Sequence, residues 1–337
     1  MTEKDKPKNI KSKIKHLVIS GGGPAGFLTY GALRYTAQKE IWNLNEIKSI
    51  YGCSVGAFFG VIVSLGYDWE WLDDYFIKRP WEKLINISAL TFFEKKGLLD
   101  EKFIEESIAV LLSAKDLNVN ITLKELYEHN KIEIHMYTTN INTSIIEKVD
   151  ISYKTHPDLS VIKALNMSMC YPFLFKPVCI NENECYIDGG LLNNYPLNDC
   201  IKQQQAEQKQ IVDGSQADVD GSQADLKEDI KDEILAFKNV WVQDEKSKYI
   251  ITEESSVIDF LLVLMRKMHC SIDTERHQTE IKNTIKCYIE GLDGLPQWLE
   301  ALSNEEMRKS LIEKGAEHAS QTIILRKDMN EFISSTY

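Results

Sequence analysis

Two strand, glycine turn and helix units follow one another near the start of this chain, and that arrangement restricts it to folds built on a parallel sheet. Residues 16–20 read as a short buried strand, the glycines Gly21, Gly22, Gly23 and Gly26 shape the turn, and a helical pattern covers 27–39. The unit then repeats, with an apolar run at 47–51, the turn Gly52-Cys53-Ser54-Val55-Gly56 and an apolar helix over 57–65. Consecutive βα units set their strands parallel and cover them with helices, so an α/β fold with a mainly parallel central sheet is expected. At 337 residues the chain can bury a full core of that kind.

Later elements extend the pattern. Residues 132–139 alternate as a strand, turn residues follow, and 144–149 reads as the partner strand. Asp158 or Ser160 stands where it can cap a helix that ends near Met169, before Pro172. A short strand at 185–187 finishes in Asp188-Gly189-Gly190, and a helix over 197–210 runs into a polar segment. Beyond it come a strand at 238–242, a helix at 255–268, a strand at 284–289 and a helix at 303–322, with Ser303 and Glu306 at capping-box spacing. Residues 67–112 are mostly helical by pattern and dense in aromatics, including Trp69, Trp71, Phe76, Trp81, Phe92 and Phe93. That density suits a core-packing role or a lipid-facing cap.

The polar segment holds a tandem heptapeptide beginning at Asp213 and again at Asp220, too hydrophilic to bury a core. A disordered acidic insertion is expected at about 205–232, inside a domain spanning 14–337 that follows a flexible basic arm at 1–13. Read as a calcium loop, with Asp220 and Gly221 at its fifth and sixth positions, the segment puts Gln216 first and Lys227 twelfth, and the ligand pattern fails at both ends.

A formal charge of -12 disfavours a nucleic-acid partner, because a phosphate backbone would be repelled. Attraction to anionic surfaces is local to the lysines of the arm, each worth about 1 kcal/mol near an anionic bilayer if that arm is more than a solvated tail. Seven cysteines, an odd number without a Cys-x-x-Cys pair, argue against zinc and against a complete disulfide framework. They fit a reducing compartment. No apolar run reaches the roughly 20 residues of a spanning helix, and the start lacks a signal-peptide core. An intracellular protein, cytoplasmic or peripheral to a membrane surface, is expected.

The chemistry rests on three motifs. Gly52-x-Ser54-x-Gly56 satisfies the nucleophile-elbow pattern, in which a serine sits at a tight turn between strand and helix. Gly21, Gly22 and Gly23 set backbone N–H groups at the mouth of a helix, where an oxyanion would be stabilised together with the N–H of Val55. The same glycines fit a dinucleotide fingerprint, but the acid that motif needs at the tip of the second strand is replaced by residues 52–54, and Glu46 precedes the strand. Asp188-Gly189-Gly190 could lift a carboxylate to the same sheet edge, and taken alone it is a turn signal.

In this order the three motifs resemble the patatin-like phospholipases. Support comes from the helix-then-proline segment around Ser168 and Pro172 and from Asn193-Asn194-Tyr195-Pro196, so that the resemblance covers residues 14–199. It implies a three-layer α/β/α fold and a Ser-Asp dyad working without histidine, metal or cofactor. Ser54 would attack the ester carbonyl, Asp188 would take its proton, and Gly21 to Gly23 would hold the oxyanion. The implied substrate is a lipid or phospholipid at a membrane surface, with any protein activator left open. Ala25 stands where many relatives carry a basic residue, which puts headgroup preference in doubt. Two other readings remain: an α/β-hydrolase triad completed by His269, His277 or His318, and a catalytically silent lipid-binding or interaction protein.

Overall fold

The computed structural model describes residues 13–85, 92, 94, 96–214, 230–242, 251–275, 279–292 and 294–335. Most of the basic arm, the two heptapeptides from Ser215 onward, Phe93 and His277 lie outside them.

Ten strands occur among the described residues: β1 His16–Ile19, β2 Ser49–Cys53, β3 Gly97–Leu99, β4 Glu133–Asn140, β5 Glu147–Ile151, β6 Phe173–Phe175, β7 Val178–Asn181, β8 Glu184–Asp188, β9 Ile234–Trp241 and β10 Thr284–Ile289. The main sheet runs β10-β9-β1-β2-β4-β8-β7, with β5 also paired to β4, while β3 and β6 form a small separate pair. From β10 to β4 every pairing is parallel; β5, β7 and β8 add antiparallel pairs. The central strands β1, β2 and β4 are buried along their whole length because both faces are covered. Leu17 and Ile19 enter one core and Val18 the other, as the two-residue period of a strand requires.

Among the described residues the helices of eight residues or more are α1 Gly26–Gln38, α2 Val55–Ser64, α3 Trp69–Lys78, α4 Glu101–Ser113, α5 Leu123–Asn130, α6 Val161–Met169, α7 Leu197–Gly214, α8 Val257–Glu275, α9 Leu295–Ser303 and α10 Glu305–Ser335. On one face of the sheet α1 and α2 build the larger core. The other face is covered by α7 through Leu197, Cys200 and Ile201, so the architecture is an α/β/α sandwich. Gly31 of α1 and Gly315 of α10 let those helices cross backbone to backbone: a Cβ on either would lie 1.9 Å from a carbonyl oxygen of the other helix.

Several elements differ from the sequence expectation. Helix α7 continues to Gly214, so the first ten residues assigned to the acidic insertion are helical. The last helix is capped by Asn304, whose Oδ1 accepts from the Met307 N–H, rather than by Ser303, which ends α9. Ser160, and not Asp158, caps α6. Strand β9 starts at Ile234, four residues earlier than the apolar pattern suggested. Strands β3, β6 and β7 are three or four residues long and were too short to give a period. Cys179 and Cys185, opposite each other on β7 and β8, are joined by a disulfide, whereas Cys53, Cys170, Cys200 and Cys287 are buried thiols.

The aromatic segment is core. Phe76, Trp81 and Phe92 are buried, and Trp71, 40% exposed, stacks between Tyr67 and Tyr75. Arg308 of α10, 2% exposed, donates to the carbonyls of Phe76, Ile77, Arg79 and Leu302, which closes the end of α3 with the chain's last helix. Beneath α7, His135 stacks on Tyr51 at 4.3 Å and lies 2.9 Å from Asp150 Oδ2 and 3.0 Å from Glu133 Oε1. Burial works against its charge, but the hydrogen bonds to Asp150 and Glu133 outweigh burial and carry its pKa up to about 9.

Candidate active site

The parallel strands β1 and β2 bring their carboxyl ends and the first two glycine motifs to one edge, and the antiparallel strand β8 brings the third in beside β4. Gly21 lies just past the end of β1 and Ser54 directly after β2, while Asp188, the last residue of β8, pairs with Thr138 of β4. Ser54 has φ 54° and ψ −128°, a conformation that costs a non-glycine residue on the order of 1–3 kcal/mol and turns its side chain out of the strand. The turn can be this tight because Gly52 and Gly56 lack side chains. A Cβ on Gly56 would lie 2.3 Å from the Ile19 carbonyl oxygen, and one on Gly52 would lie 2.6 Å from the backbone of Ala57. Ser168, fully buried on α6, accepts from the Ser54 N–H at 3.0 Å and donates to the Tyr137 carbonyl at 2.7 Å, which fixes the elbow from below.

Asp188 is 3% exposed. Its Oδ1 accepts from the Gly190 N–H at 2.7 Å, its N–H donates to the Cys170 carbonyl at 3.0 Å, and it lines the same cavity as Ser54. Burial lifts its pKa from 3.8 to about 6, against the smaller downward pull of the bonds from Ser54 and Gly190. Gly189 has no room for a side chain, since a Cβ there would lie 2.1 Å from the Tyr137 carbonyl oxygen.

The Gly21–Gly23 turn lies across from Ser54. The N–H of Gly21, expected to face an oxyanion, donates instead to the Asn194 carbonyl at 3.0 Å, so Gly21 is corrected from donor to anchor. The Gly22 carbonyl accepts from the Ala25 N–H at 3.1 Å, and Gly23 has φ +54°. Gly22, Gly23, Gly26 and Val55 line the same cavity as Ser54 and Asp188. Val55, the first residue of α2, has no acceptor a turn earlier, so its N–H is free of the helical ladder.

That cavity, of about 220 Å³, is walled mainly by apolar side chains, among them Phe58, Phe59, Phe76, Trp81 and Trp298. Another wall comes from α8 and α9, where Arg266 is the one cation among the described lining residues and stacks 4.0 Å over Trp241. Such a space accepts a long apolar group and holds a carboxylate and a hydroxyl at one end. Ser168, Asn194 and Trp298 belong to the site but escaped the residue-level reading; the sequence around Ser168 and Asn194 carried only a family likeness, and Trp298 carried no signal. No histidine lines the cavity among the described residues: His318 packs edge-on against Tyr288, and the side chain of His269 is outside them. Among the described residues no three His, Cys, Asp or Glu side chains group as a metal site.

Comparison with known proteins places this geometry. The family model described as Patatin-like phospholipase matches residues 17–201, more than half of the chain. An uncharacterized protein, R571, of Acanthamoeba polyphaga mimivirus is 34% identical over 202 residues, covering 58% of this chain and 64% of that protein. A probable lipid hydrolase, 463L, of Invertebrate iridescent virus 6 is 30% identical over 208 residues, covering 60% of this chain and 68% of its own. Among solved structures, VipD of Legionella pneumophila is 15% identical with a TM-score of 0.42, over 90% of this chain and 67% of that one. ExoU in its heterodimeric complex with SpcU, from Pseudomonas aeruginosa, is 15% identical with a TM-score of 0.44, over 94% of this chain and 52% of that one. Both structural similarities are distant.

Proposed function

Because the chain belongs to the patatin-like phospholipase family, we propose that it is a lipid hydrolase which cleaves the acyl esters of phospholipids through a dyad of Ser54 and Asp188. Family membership supports lipid hydrolysis. The observation that carries the finer assignment is that a serine held at positive φ and a buried carboxylate, its pKa lifted to about 6, line one apolar cavity.

In this mechanism the acyl chain lies along the aromatic walls and the ester carbonyl rests against Ser54 Oγ. Attack transfers the hydroxyl proton to Asp188, and the tetrahedral oxyanion is received by the N–H groups of Gly22, Gly23 and Val55. Asp188 returns that proton to the leaving alkoxide as the intermediate collapses, which expels the alcohol and leaves an acyl-serine. Asp188, ionised again, then takes a proton from the water that attacks the acyl-serine and passes it to Ser54 Oγ as the fatty acid departs. A carboxylate with an ordinary pKa is a feeble base, and lifting it toward the operating pH is what makes it useful. Burial supplies that lift and Gly190 holds one oxygen still, so that the other faces the serine.

The partners in this reading are a phospholipid and the surface that presents it, met from outside the bilayer; among the described residues no helix is long and apolar enough to cross a membrane. The test is incubation with mixed liposomes, with fatty acid release read by mass spectrometry, beside labelling with a fluorophosphonate probe. Wild type releases fatty acid and is labelled, and Ser54→Ala does neither. Release that is equal in the two proteins overturns the assignment.

A further inference from the structure

Three glycines in a row make a turn with little stiffness of its own, yet an oxyanion site works only if its donors are fixed before charge develops. Something outside the turn must hold it. The peptide between Gly21 and Gly22 decides the matter, because a planar trans peptide points its C=O and its N–H in opposite directions. Whatever grips the Gly21 carbonyl aims the Gly22 N–H.

Asn239 of β9 grips it. Its Nδ2 donates to the Gly21 carbonyl at 3.1 Å, its Oδ1 accepts from Thr29 Oγ1 at 3.0 Å, and its backbone N–H donates to Ser20 Oγ at 2.8 Å. The residue is 7% exposed, and Ser20 and Thr29 are buried with it. A carbonyl can only accept, so the amide nitrogen must face Gly21, and the hydroxyl of Thr29 keeps it that way round. The fit is close: a Cβ on Gly22 would lie 2.7 Å from Asn239 Nδ2. The side chain therefore ties the glycine turn to the first turns of α1, and the backbone of the same residue holds Ser20 at the end of β1. The next peptide is held by the Ala25 N–H on the Gly22 carbonyl at 3.1 Å, which aims the Gly23 N–H by the same reasoning.

We propose that Asn239 is a positioning residue of the oxyanion site, setting the Gly21–Gly22 peptide so that the Gly22 N–H faces the ester oxygen at Ser54. The inference rests on the dyad reading above and adds to it a residue 38 positions past the end of the family match at 201. Asn239 touches no substrate. Without its amide, the peptide between two glycines can rotate and take one donor out of the site.

The test compares Asn239→Leu and Thr29→Val with wild type on 4-nitrophenyl butyrate and on the matching thionoester, whose sulfur accepts hydrogen bonds poorly. Loss of one oxyanion donor lowers kcat by on the order of a hundredfold. The expected result for Asn239→Leu is a fall in kcat of that size with KM little changed, together with a collapse of the oxo-to-thiono rate ratio toward that of an enzyme lacking the donor. A purely structural role would leave the ratio where wild type has it. Thr29→Val keeps the donor but frees its orientation, so it should show a smaller loss of the same kind, and it decides the question by the same criteria if Asn239→Leu does not fold. A kcat within about threefold of wild type, or a fall in kcat with the ratio unchanged, overturns the proposal. Ser54→Ala is assayed alongside: if it hydrolyses the ester as wild type does, the dyad reading itself falls, whereas a dead Ser54→Ala beside an unchanged ratio in the other variants removes only the role of Asn239.

Discussion

Replacing Asp188 with asparagine should destroy activity and stabilise the fold, and the two effects share one cause. Burial raises the carboxyl from 3.8 to about 6, so the folded chain holds this proton more tightly than the unfolded chain does. The stabilisation from that bound proton is complete below about pH 4 and is lost as pH rises through 6. At about 1.4 kcal/mol per pH unit, keeping the buried carboxylate ionised at neutral pH costs the fold about 3 kcal/mol. Asparagine carries no charge, and its Oδ1 can still accept from Gly190, so Asp188→Asn should recover much of that cost. At roughly 2 °C per kcal/mol for a chain this large, the variant should melt about 5 °C above wild type at pH 8. Differential scanning calorimetry at pH 4 and pH 8 measures it, with the advantage present at pH 8 and gone at pH 4. In parallel, wild-type kcat/KM should rise with pH to a plateau, with its midpoint near 6. Equal differences in melting temperature at both pH values would refute the claim that burial of an ionised carboxylate strains the site.

Other perturbations give distinct readouts. Gly56→Ala would drive a Cβ against the Ile19 carbonyl, and a loss of about 3 kcal/mol or more is expected in urea unfolding; a midpoint equal to wild type would mean that the elbow is looser than its geometry. His135, with its pKa raised to about 9, contributes stability that is complete below about pH 6.5 and lost as pH rises through 9. Wild type should therefore lose stability across that window while His135→Gln, with no proton to release, stays flat, and parallel curves would show that the imidazolium is not held by its carboxylates.

Within the candidate site, sequence alone marks the parts whose geometry is local. The elbow at Ser54 is legible because a strained turn needs glycines at fixed offsets, and Asp188 is legible because a strand ends on it. The parts that depend on distant pairing left no mark. Asn239 is an unremarked residue in an apolar strand, and only the pairing of β9 with β1 brings it beneath Gly21. The same holds for the wall of the cavity where Trp298 packs over Gly23 across most of the chain's length. Gly21 was misassigned for a related reason: its N–H faces Asn194, a partner supplied by the turn after β8. The cap at Asn304 was missed by one residue because Ser303 offered the same chemistry next door.

The order of strands has a practical meaning for anyone who would trim this protein. Residues 17–201 carry the serine, the aspartate and the glycines, but β9 lies beyond them and runs alongside β1 for its full length. A fragment cut after residue 201 would turn β1 into an open border, with a row of unsatisfied amides inviting another chain to dock. It would keep Ser54, Asp188 and the glycine turn and still aggregate through that border.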